Sequence, residues 1–157
     1  RAHMDGSYQA GLVRTARDAG VGVVGRNGLI ITEEKGPCVR LGLVTTDLPL
    51  ELSSPSPREG HIHAFCKNCL RCARLCQAIP KNADLDERVD GESCFQIWRR
   101  LGTDCGVCIS SCPLTDDDTR RKVFEAADGA SFQAILQDYE VRFGRRPYLK
   151  EPPEWLK

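Results

Sequence analysis

Eight of the nine cysteines lie between residues 66 and 112 at short, regular spacings. The first four are spaced C-x2-C-x2-C-x3-C, and the last three are spaced C-x2-C-x3-C and followed by proline. In such runs one segment gives three thiolates to one [4Fe-4S] cluster, and its fourth cysteine serves a neighbouring cluster. The spacing therefore predicts two clusters. The first cysteine set is Cys66, Cys69, Cys72 and Cys112, and the second is Cys76, Cys94, Cys105 and Cys108.

Zinc and disulfides are the alternative uses of these thiols. Zinc also takes four thiolates, but its sites usually present separated C-x2-C pairs, so the longer runs favour iron and sulfide. A disulfide framework is typical of secreted chains with an even cysteine count, whereas this count is nine. Cys94 lies outside the compact runs and is the ligand that spacing constrains least. Cys38 is interpreted as a buried free thiol.

Several neighbouring residues could assist a cluster. Phe95 and Trp98 follow Cys94 at helical spacing, so they either shield a cluster from water or belong to the core. His61 and His63 could replace thiolates, but eight cysteines already fill eight positions, which favours surface or hydrogen-bonding histidines. The arginine pairs are interpreted as solvated faces, with a docking patch for an acidic electron donor as the alternative. These pairs are Arg99-Arg100, Arg120-Arg121 and Arg145-Arg146.

The segment before the cysteines has α/β character. Residues 8–19 predict a short helix that stops at Gly20. Residues 28–32 and 38–46 are apolar and β-branched, which predicts two strands joined by a turn. The following residues, 53–60, have the composition of a linker.

After the cysteines, residues 131–143 give the strongest helix prediction in the chain. Apolar side chains recur there at helical spacing, and Ser131 is the expected N-cap. The apolar positions are Phe132, Ile135, Leu136, Tyr139 and Phe143. The proline-containing tail from residue 145 is expected to be extended.

Charge and hydropathy exclude some functions. The chain has 22 basic and 22 acidic residues, so it lacks the positive surplus that a nucleic-acid partner requires. No run approaches the roughly 20 apolar residues of a membrane span, and no integral membrane segment is expected. No secretory signal is visible. We therefore expect a cytoplasmic protein, with an exported protein whose signal precedes Arg1 as the alternative.

Three further segments carry a specific pattern, and they occur in order before the cysteines. They read VGRNGLIIT over residues 24–32, GPCVRLG over 36–42 and TDLPL over 46–50. The cysteine region adds CFQIW over 94–98 and DCGVC over 104–108. Together these segments, spanning residues 20–114, resemble the reductive dehalogenases, which are corrinoid and iron-sulfur enzymes. They resemble the epoxyqueuosine reductases more distantly.

This resemblance implies an α+β architecture in three parts. Residues 1–52 would be the C-terminal portion of a nitroreductase-like α/β domain that binds a corrinoid. Residues 60–115 would form a ferredoxin-like domain with two [4Fe-4S] clusters, and 116–157 the C-terminal helices and extended tail. Cobalamin would lie near two short segments, and no catalytic residue can be assigned by this resemblance. The segments comprise Gly25, Arg26, Asn27 and Gly28, and Thr46, Asp47 and Leu48.

The resemblance also implies a direction of electron flow. A ferredoxin, flavodoxin or reductase would reduce the clusters, and the cluster of the first set would lie nearer the corrinoid. Cobalt reduced from Co(II) to Co(I) would then act on an organohalide or another small molecule. The alternative is a dicluster ferredoxin or electron-transfer subunit without its own substrate. A tRNA-modifying epoxyqueuosine reductase is less favoured, because tRNA binding should leave a basic surplus.

Overall fold

The computed structural model describes residues 11–51, 53–81, 89–102, 104–126 and 129–144. Helices dominate this part of the chain, and one small antiparallel sheet accompanies them, which is compatible with the predicted α+β class. No helix among the described residues is both long and apolar enough to cross a membrane. The elements are α1 (Leu12–Asp18), β1 (Val23–Val24), β2 (Ile30–Ile31), α2 (Glu59–Cys69), α3 (Arg71–Leu75), α4 (Gly91–Leu101), α5 (Val107–Ser110), a 3-10 turn (Pro113–Thr115), α6 (Asp117–Glu125) and α7 (Gly129–Phe143).

The N-terminal elements form a helix packed on a β-hairpin. Helix α1 ends before Gly20, which has a positive φ as the predicted stop requires; the start of the predicted helix, before residue 11, lies outside the described residues. Strands β1 and β2 pair antiparallel, with Val23 opposite Ile31. The side chains of Val23 and Ile31 are each 1% exposed. The hairpin therefore contributes directly to the core.

The strand prediction for residues 38–46 is wrong. This segment has no regular structure, and its Val44 is 89% exposed. Within 28–32 only Ile30–Ile31 is a strand, and its partner precedes it in the chain instead of following it. Apolar, β-branched composition favours a strand only where its side chains pack on a half-buried sheet surface, and most of residues 38–46 are exposed.

A tight turn at residues 32–36 fixes the hairpin to the C-terminal half. Thr32 and Gly36 exchange two backbone hydrogen bonds of 3.0 and 2.9 Å. Gly36 has a φ of +58°, and a Cβ there would lie 2.0 Å from the carbonyl oxygen of Leu114. Only glycine fits this close approach. The turn thereby holds the hairpin against the 3-10 turn that follows Cys112.

The core lies between α2, α6, α7 and the hairpin. The predicted linker ends at Arg58, two residues earlier than expected, because Glu59 already begins α2. Helix α7 confirms the helix predicted for 131–143, but it begins at Gly129, so Ser131 is not its N-cap. The buried side chains that meet here include Ile62, Phe65, Leu114, Val123, Phe124 and Phe132.

One arginine of the predicted solvated pairs is buried. Arg120 is 5% exposed, and its guanidinium donates hydrogen bonds to backbone oxygens of Glu33, Glu34 and Leu114. The solvated-face prediction is therefore wrong for Arg120, although Arg121, Arg99 and Arg100 are exposed as expected. Sequence alone does not show that three carbonyl groups from distant segments converge on this side chain. The pair Arg145-Arg146 lies outside the described residues.

Candidate metal centre

Two helices and one turn position the thiols of the first cysteine set. Cys66 and Cys69 lie one turn apart on α2, so their side chains share a helix face. Leu70 then adopts a left-handed conformation with a φ of 52°, which ends α2 and lets α3 begin in a new direction. Cys72 lies on α3, and Cys112 immediately precedes the 3-10 turn.

The four thiols of the first set surround one small cavity. The hairpin closes one side of it, and α2 and the 3-10 turn close others. Cys66, Cys69 and Cys112 are each 9% exposed, so water is largely excluded. The lining also includes Arg26, Asn27, Ile31, Phe65, Leu70, Pro113 and Leu114.

Burial and mutual proximity dominate the electrostatics of this set. Burial raises the pKa of the Cys112 thiol well above its usual value, and the thiolates of Cys66 and Cys69 raise it further. Burial likewise raises the pKa of Cys69 and of Cys72 to about 12 in each case. Burial outweighs the positive charges of the nearby arginines, so these thiols stay protonated. A metal cluster that binds them must displace their protons.

Four backbone N–H groups oppose this effect: those of Ala73 and Leu114 donate to the sulfurs of Cys72 and Cys112, and two arginines supply the others. The N–H of Arg26 is directed at the Cys66 sulfur, and that of Arg71 at the Cys69 sulfur. Both interactions favour the thiolate, as do the positive charges of the two guanidinium groups. Hydrogen bonds to ligand sulfurs are among the main determinants of iron-sulfur potentials.

The second cysteine set is assembled from three separate segments. Cys76 ends α3, Cys94 lies in the first turns of α4, Cys105 precedes α5, and Cys108 lies on it. Helix α4 is N-capped by Asp90, whose carboxylate accepts from the N–H groups of Glu92 and Ser93 at 3.1 and 3.2 Å. This cap fixes the start of the helix that carries Cys94.

The thiols of the second set also influence one another. Burial raises the pKa of Cys108, and Cys105, Cys76 and Cys94 raise it further. The pKa of Cys94 is raised by burial and then by Cys105 and Cys76. All four second-set cysteines are only partly buried. The structure thus gathers eight cysteines into two groups of four, one enclosed and one nearer the surface.

The two sets are neighbours. Cys108 of the second set contributes to the raised pKa of Cys72 in the first. Helix α3 carries Cys72 and ends at Cys76, and it packs against α5. The side-chain amide of Asn27 donates to the Cys108 carbonyl oxygen at 3.3 Å. Groups bound by the two sets would therefore lie close together.

These donors fit iron-sulfur clusters. All nine cysteines are free thiols, and two sets of four match the ligation of two cubanes by four thiolates each. Within the described ranges, no three histidine, cysteine, aspartate or glutamate side chains form a group that could hold a single metal ion. A single zinc ion would require such a group, because four thiolates around it would bring their sulfur atoms within about 4 Å of each other.

The sequence predictions for five neighbouring residues have clear outcomes. Phe95 and Trp98 are 53% and 43% exposed, so they are not core aromatics. Cys38 is exposed and not buried, because residues 38–46 lie on the surface and do not form a strand. The hydrogen-bonding roles of both histidines are confirmed: a ring nitrogen of His61 pairs with the Val123 carbonyl oxygen, and one of His63 with that of Val24.

The residues assigned to the corrinoid vicinity divide between two places. Arg26 and Asn27 are buried in the hairpin beside the first cysteine set, and the Arg26 guanidinium donates to the Pro80 carbonyl oxygen at 3.1 Å. Gly25 and Gly28 complete this turn. Thr46, Asp47 and Leu48 lie in the exposed segment after it. The corrinoid assignment of both groups stays a prediction.

Arg71 is a buried residue that sequence reasoning missed. It is 6% exposed and stands between the second and third cysteines. Its guanidinium donates to Glu140 at 2.8 Å and to the Gly144 carbonyl oxygen at 3.0 Å, and it lies over the Tyr139 ring. Arg71 thereby attaches the cysteine-bearing α3 to α7. Only its position within a cysteine run could have drawn attention to it.

The difference in thiol environment predicts unequal alkylation of the iron-free protein. At pH 8, iodoacetamide should modify exposed Cys38 at least about tenfold faster than Cys112, because Cys112 is both buried and kept protonated. Peptide mass spectrometry at timed quenches gives both rates. In guanidinium chloride the two rates should become equal, and equal rates in the folded protein would contradict the structure.

Comparison with known proteins identifies relatives that match most of this chain. No family model matches it. The chain is 33% identical over 150 residues to the tetrachloroethene reductive dehalogenase of Desulfitobacterium hafniense, a match that covers 83% of this chain and 26% of that protein. The corresponding protein of Sulfurospirillum multivorans is 35% identical over 118 residues, covering 66% of this chain and 23% of that one.

A second group of relatives is more distant. An epoxyqueuosine reductase of Gloeobacter violaceus is 37% identical over 75 residues, which is 46% of this chain and 22% of that protein. The chain spans about a quarter of the length of the curated relatives that it matches.

Proposed function

This chain is a homologue of the reductive dehalogenases and, more distantly, of the epoxyqueuosine reductases, and from that premise we propose that it binds two [4Fe-4S] clusters and passes electrons through them to a corrinoid in a larger reductase. The observation that carries the proposal is the gathering of eight free cysteines into two adjacent sets of four. The similarity to reductive dehalogenases and epoxyqueuosine reductases supports a redox function, and the two groups of thiols would supply the cluster ligands.

The residues of the chain have distinct parts in this proposal. When bound, the clusters supply reversible one-electron transfer. The first set would hold its cluster in a cavity closed by the hairpin, where little water reaches it, and backbone N–H groups donate to the four cysteine sulfurs. The second set is more accessible to solvent. Electrons would therefore enter at the second set and leave from the first.

The corrinoid would receive these electrons on the far side of the first set. The turn of residues 25–28 borders that cavity, with Arg26 and Asn27 in its lining, and the Asn27 side chain also donates to the Cys108 carbonyl oxygen of the second set. In the proposed reductase the corrinoid supplies the difficult chemistry on a small organic substrate, an organohalide being one candidate. The role of this chain in that reductase would be to deliver electrons to the corrinoid.

A dicluster electron-transfer protein without its own substrate is the second candidate. It is favoured by one observation: all eight ligands lie within the described part of this chain, so both clusters could assemble without the remaining length of the relatives. The same electron path would then end at a partner protein.

Reductive titration tests the shared part of both candidates. After anaerobic reconstitution with iron and sulfide, a broad visible absorbance should bleach on addition of dithionite, with about two electrons taken up per chain. A colourless product, or one that does not bleach, would overturn the proposal. Cobalt then separates the two candidates: about one cobalamin per chain in the natural protein supports the corrinoid reductase, and clusters without cobalamin support the electron-transfer protein.

A further inference from the structure

An open groove lies beside the second cysteine set, between α3, α4 and the start of α5. Two of its cysteines, Cys76 and Cys105, form part of the groove wall. The wall elsewhere is largely apolar, with side chains from all three helices. The other lining residues are Ala73, Arg74, Leu75, Gln77, Lys81, Ile97, Arg100, Leu101 and Val107.

The charged residues that the structure describes in this groove are all basic. Arg74, Lys81 and Arg100 are all exposed, and the described residues that line the groove include no carboxylate. The chain as a whole carries equal numbers of acidic and basic residues, so the groove is a local positive excess. A positive, partly apolar surface is complementary to a protein with an acidic rim around an apolar centre.

We propose that this groove is the docking surface for an acidic electron-transfer protein, which reduces the cluster of the second set through Cys76 and Cys105. The inference rests on the proposed function, and it adds the place of entry and the charge of the donor. It also gives a role to Arg100 of the α4 arginine pair, because only that arginine of the pair lines the groove.

The electron balance of the step is simple. A flavodoxin in its anionic hydroquinone state gives one electron and becomes the neutral semiquinone, and the oxidised cluster gains that electron. No proton or bond is transferred. Because the ligands Cys76 and Cys105 are themselves in the groove wall, a donor seated there needs no intervening residue to reach the cluster. The first set offers no such access, since three of its thiols are buried.

The charge on Arg100 provides the test. The reconstituted chain is mixed in a stopped-flow spectrophotometer with an acidic flavodoxin, photoreduced to the hydroquinone, and cluster bleaching is followed at low and high salt. We expect Arg100→Glu to lower the second-order rate constant about tenfold at low salt, because a reversed rim charge acts mainly on association. Added salt should slow the unaltered protein and shrink that difference.

Arg99→Glu is the matched control. It makes the same change of charge on the adjacent residue of α4, but Arg99 does not line the groove, so its rate should fall less than about twofold. Equal effects of the two variants, or no effect of either, would overturn the docking proposal. A groove that instead joins two copies of this chain would show as a dimer lost in Arg100→Glu with unchanged flavodoxin kinetics, which also overturns it.

Iron, sulfide and the dithionite bleach are measured on every sample. If they are normal while Arg100→Glu behaves as Arg99→Glu does, only the docking surface is wrong. If the unaltered chain never acquires clusters, the proposed function fails and the docking surface fails with it.

Discussion

Replacing Cys112 with serine is expected to lower the bound iron from about eight to about four atoms per chain, because the first cluster loses a ligand that no other cysteine can replace. Cys112 lies in a buried cavity with Cys66, Cys69 and Cys72, and the remaining cysteines near this set belong to the second set. A serine hydroxyl is a poorer iron ligand and is costly to ionise in a site with little water. Iron and acid-labile sulfide assays after anaerobic reconstitution measure the loss.

Cys38→Ser is the control for this experiment. Cys38 is an exposed thiol that stands apart from both cysteine sets, so its replacement should leave iron and sulfide unchanged. Retention of about eight iron atoms in Cys112→Ser would remove this residue from the ligand set. An equal loss of iron in Cys38→Ser would show that the assignment of the ninth cysteine is wrong.

Replacing Arg120 with alanine is expected to lower the free energy of unfolding by about 3 kcal/mol. The guanidinium donates to backbone oxygens of Glu33, Glu34 and Leu114 at 2.9, 2.7 and 3.1 Å. Alanine would leave the buried Leu114 carbonyl without this donor and would open a cavity beneath the 32–36 turn. Urea unfolding, followed by far-UV circular dichroism, gives the change.

Arg121→Ala is the matched control, since it removes the same side chain from the next position of α6. Arg121 is exposed and pairs at the surface with Asp118 at 2.9 Å. Such surface pairs contribute less than about 1 kcal/mol. Similar destabilisation by both substitutions would contradict the structural role of Arg120. Neither arginine belongs to the proposed electron path, so neither substitution is expected to act directly on the clusters.

The features that could be predicted from the sequence are those set by local spacing. The cysteine spacing groups Cys66, Cys69 and Cys72 in one short stretch, although it does not predict the helix that carries the first two, and the apolar period of residues 131–143 identifies α7. Each of these patterns is contained in a few turns of chain, and neither depends on where a distant segment lies. Counting cluster positions also favours surface or hydrogen-bonding roles for His61 and His63 over ligation, and the structure shows both to be hydrogen-bonded.

The features that sequence reasoning missed depend on distant partners. Residues 38–46 have strand composition, but in the described part of the chain they do not join the β1–β2 hairpin, and Cys38 lies at the surface. Arg71 and Arg120 are charged side chains of a type usually found at the surface, but both are buried. The Gly144 carbonyl oxygen accepts from Arg71, and those of Glu33 and Leu114 accept from Arg120. A charged side chain is retained inside only where such partners satisfy it, and these partners are visible only in the folded chain.

The difference between the two cysteine sets also required the structure. Their ligand spacings alone do not show that one set is enclosed by the hairpin and the other borders an open, positive groove. Because of this difference in burial, we propose that electrons enter at the second set and leave from the first. The same difference also connects the N-terminal hairpin, which the resemblance assigns to a corrinoid domain, to the cluster of the first set.

The most direct test of the central claim is Mössbauer spectroscopy of the chain after anaerobic reconstitution with 57Fe and sulfide, combined with metal analysis. The account predicts about eight iron and eight sulfide per chain, all in the spectrum of diamagnetic [4Fe-4S]2+ clusters. About two zinc ions per chain without sulfide, or iron that does not form a cubane spectrum, would contradict it.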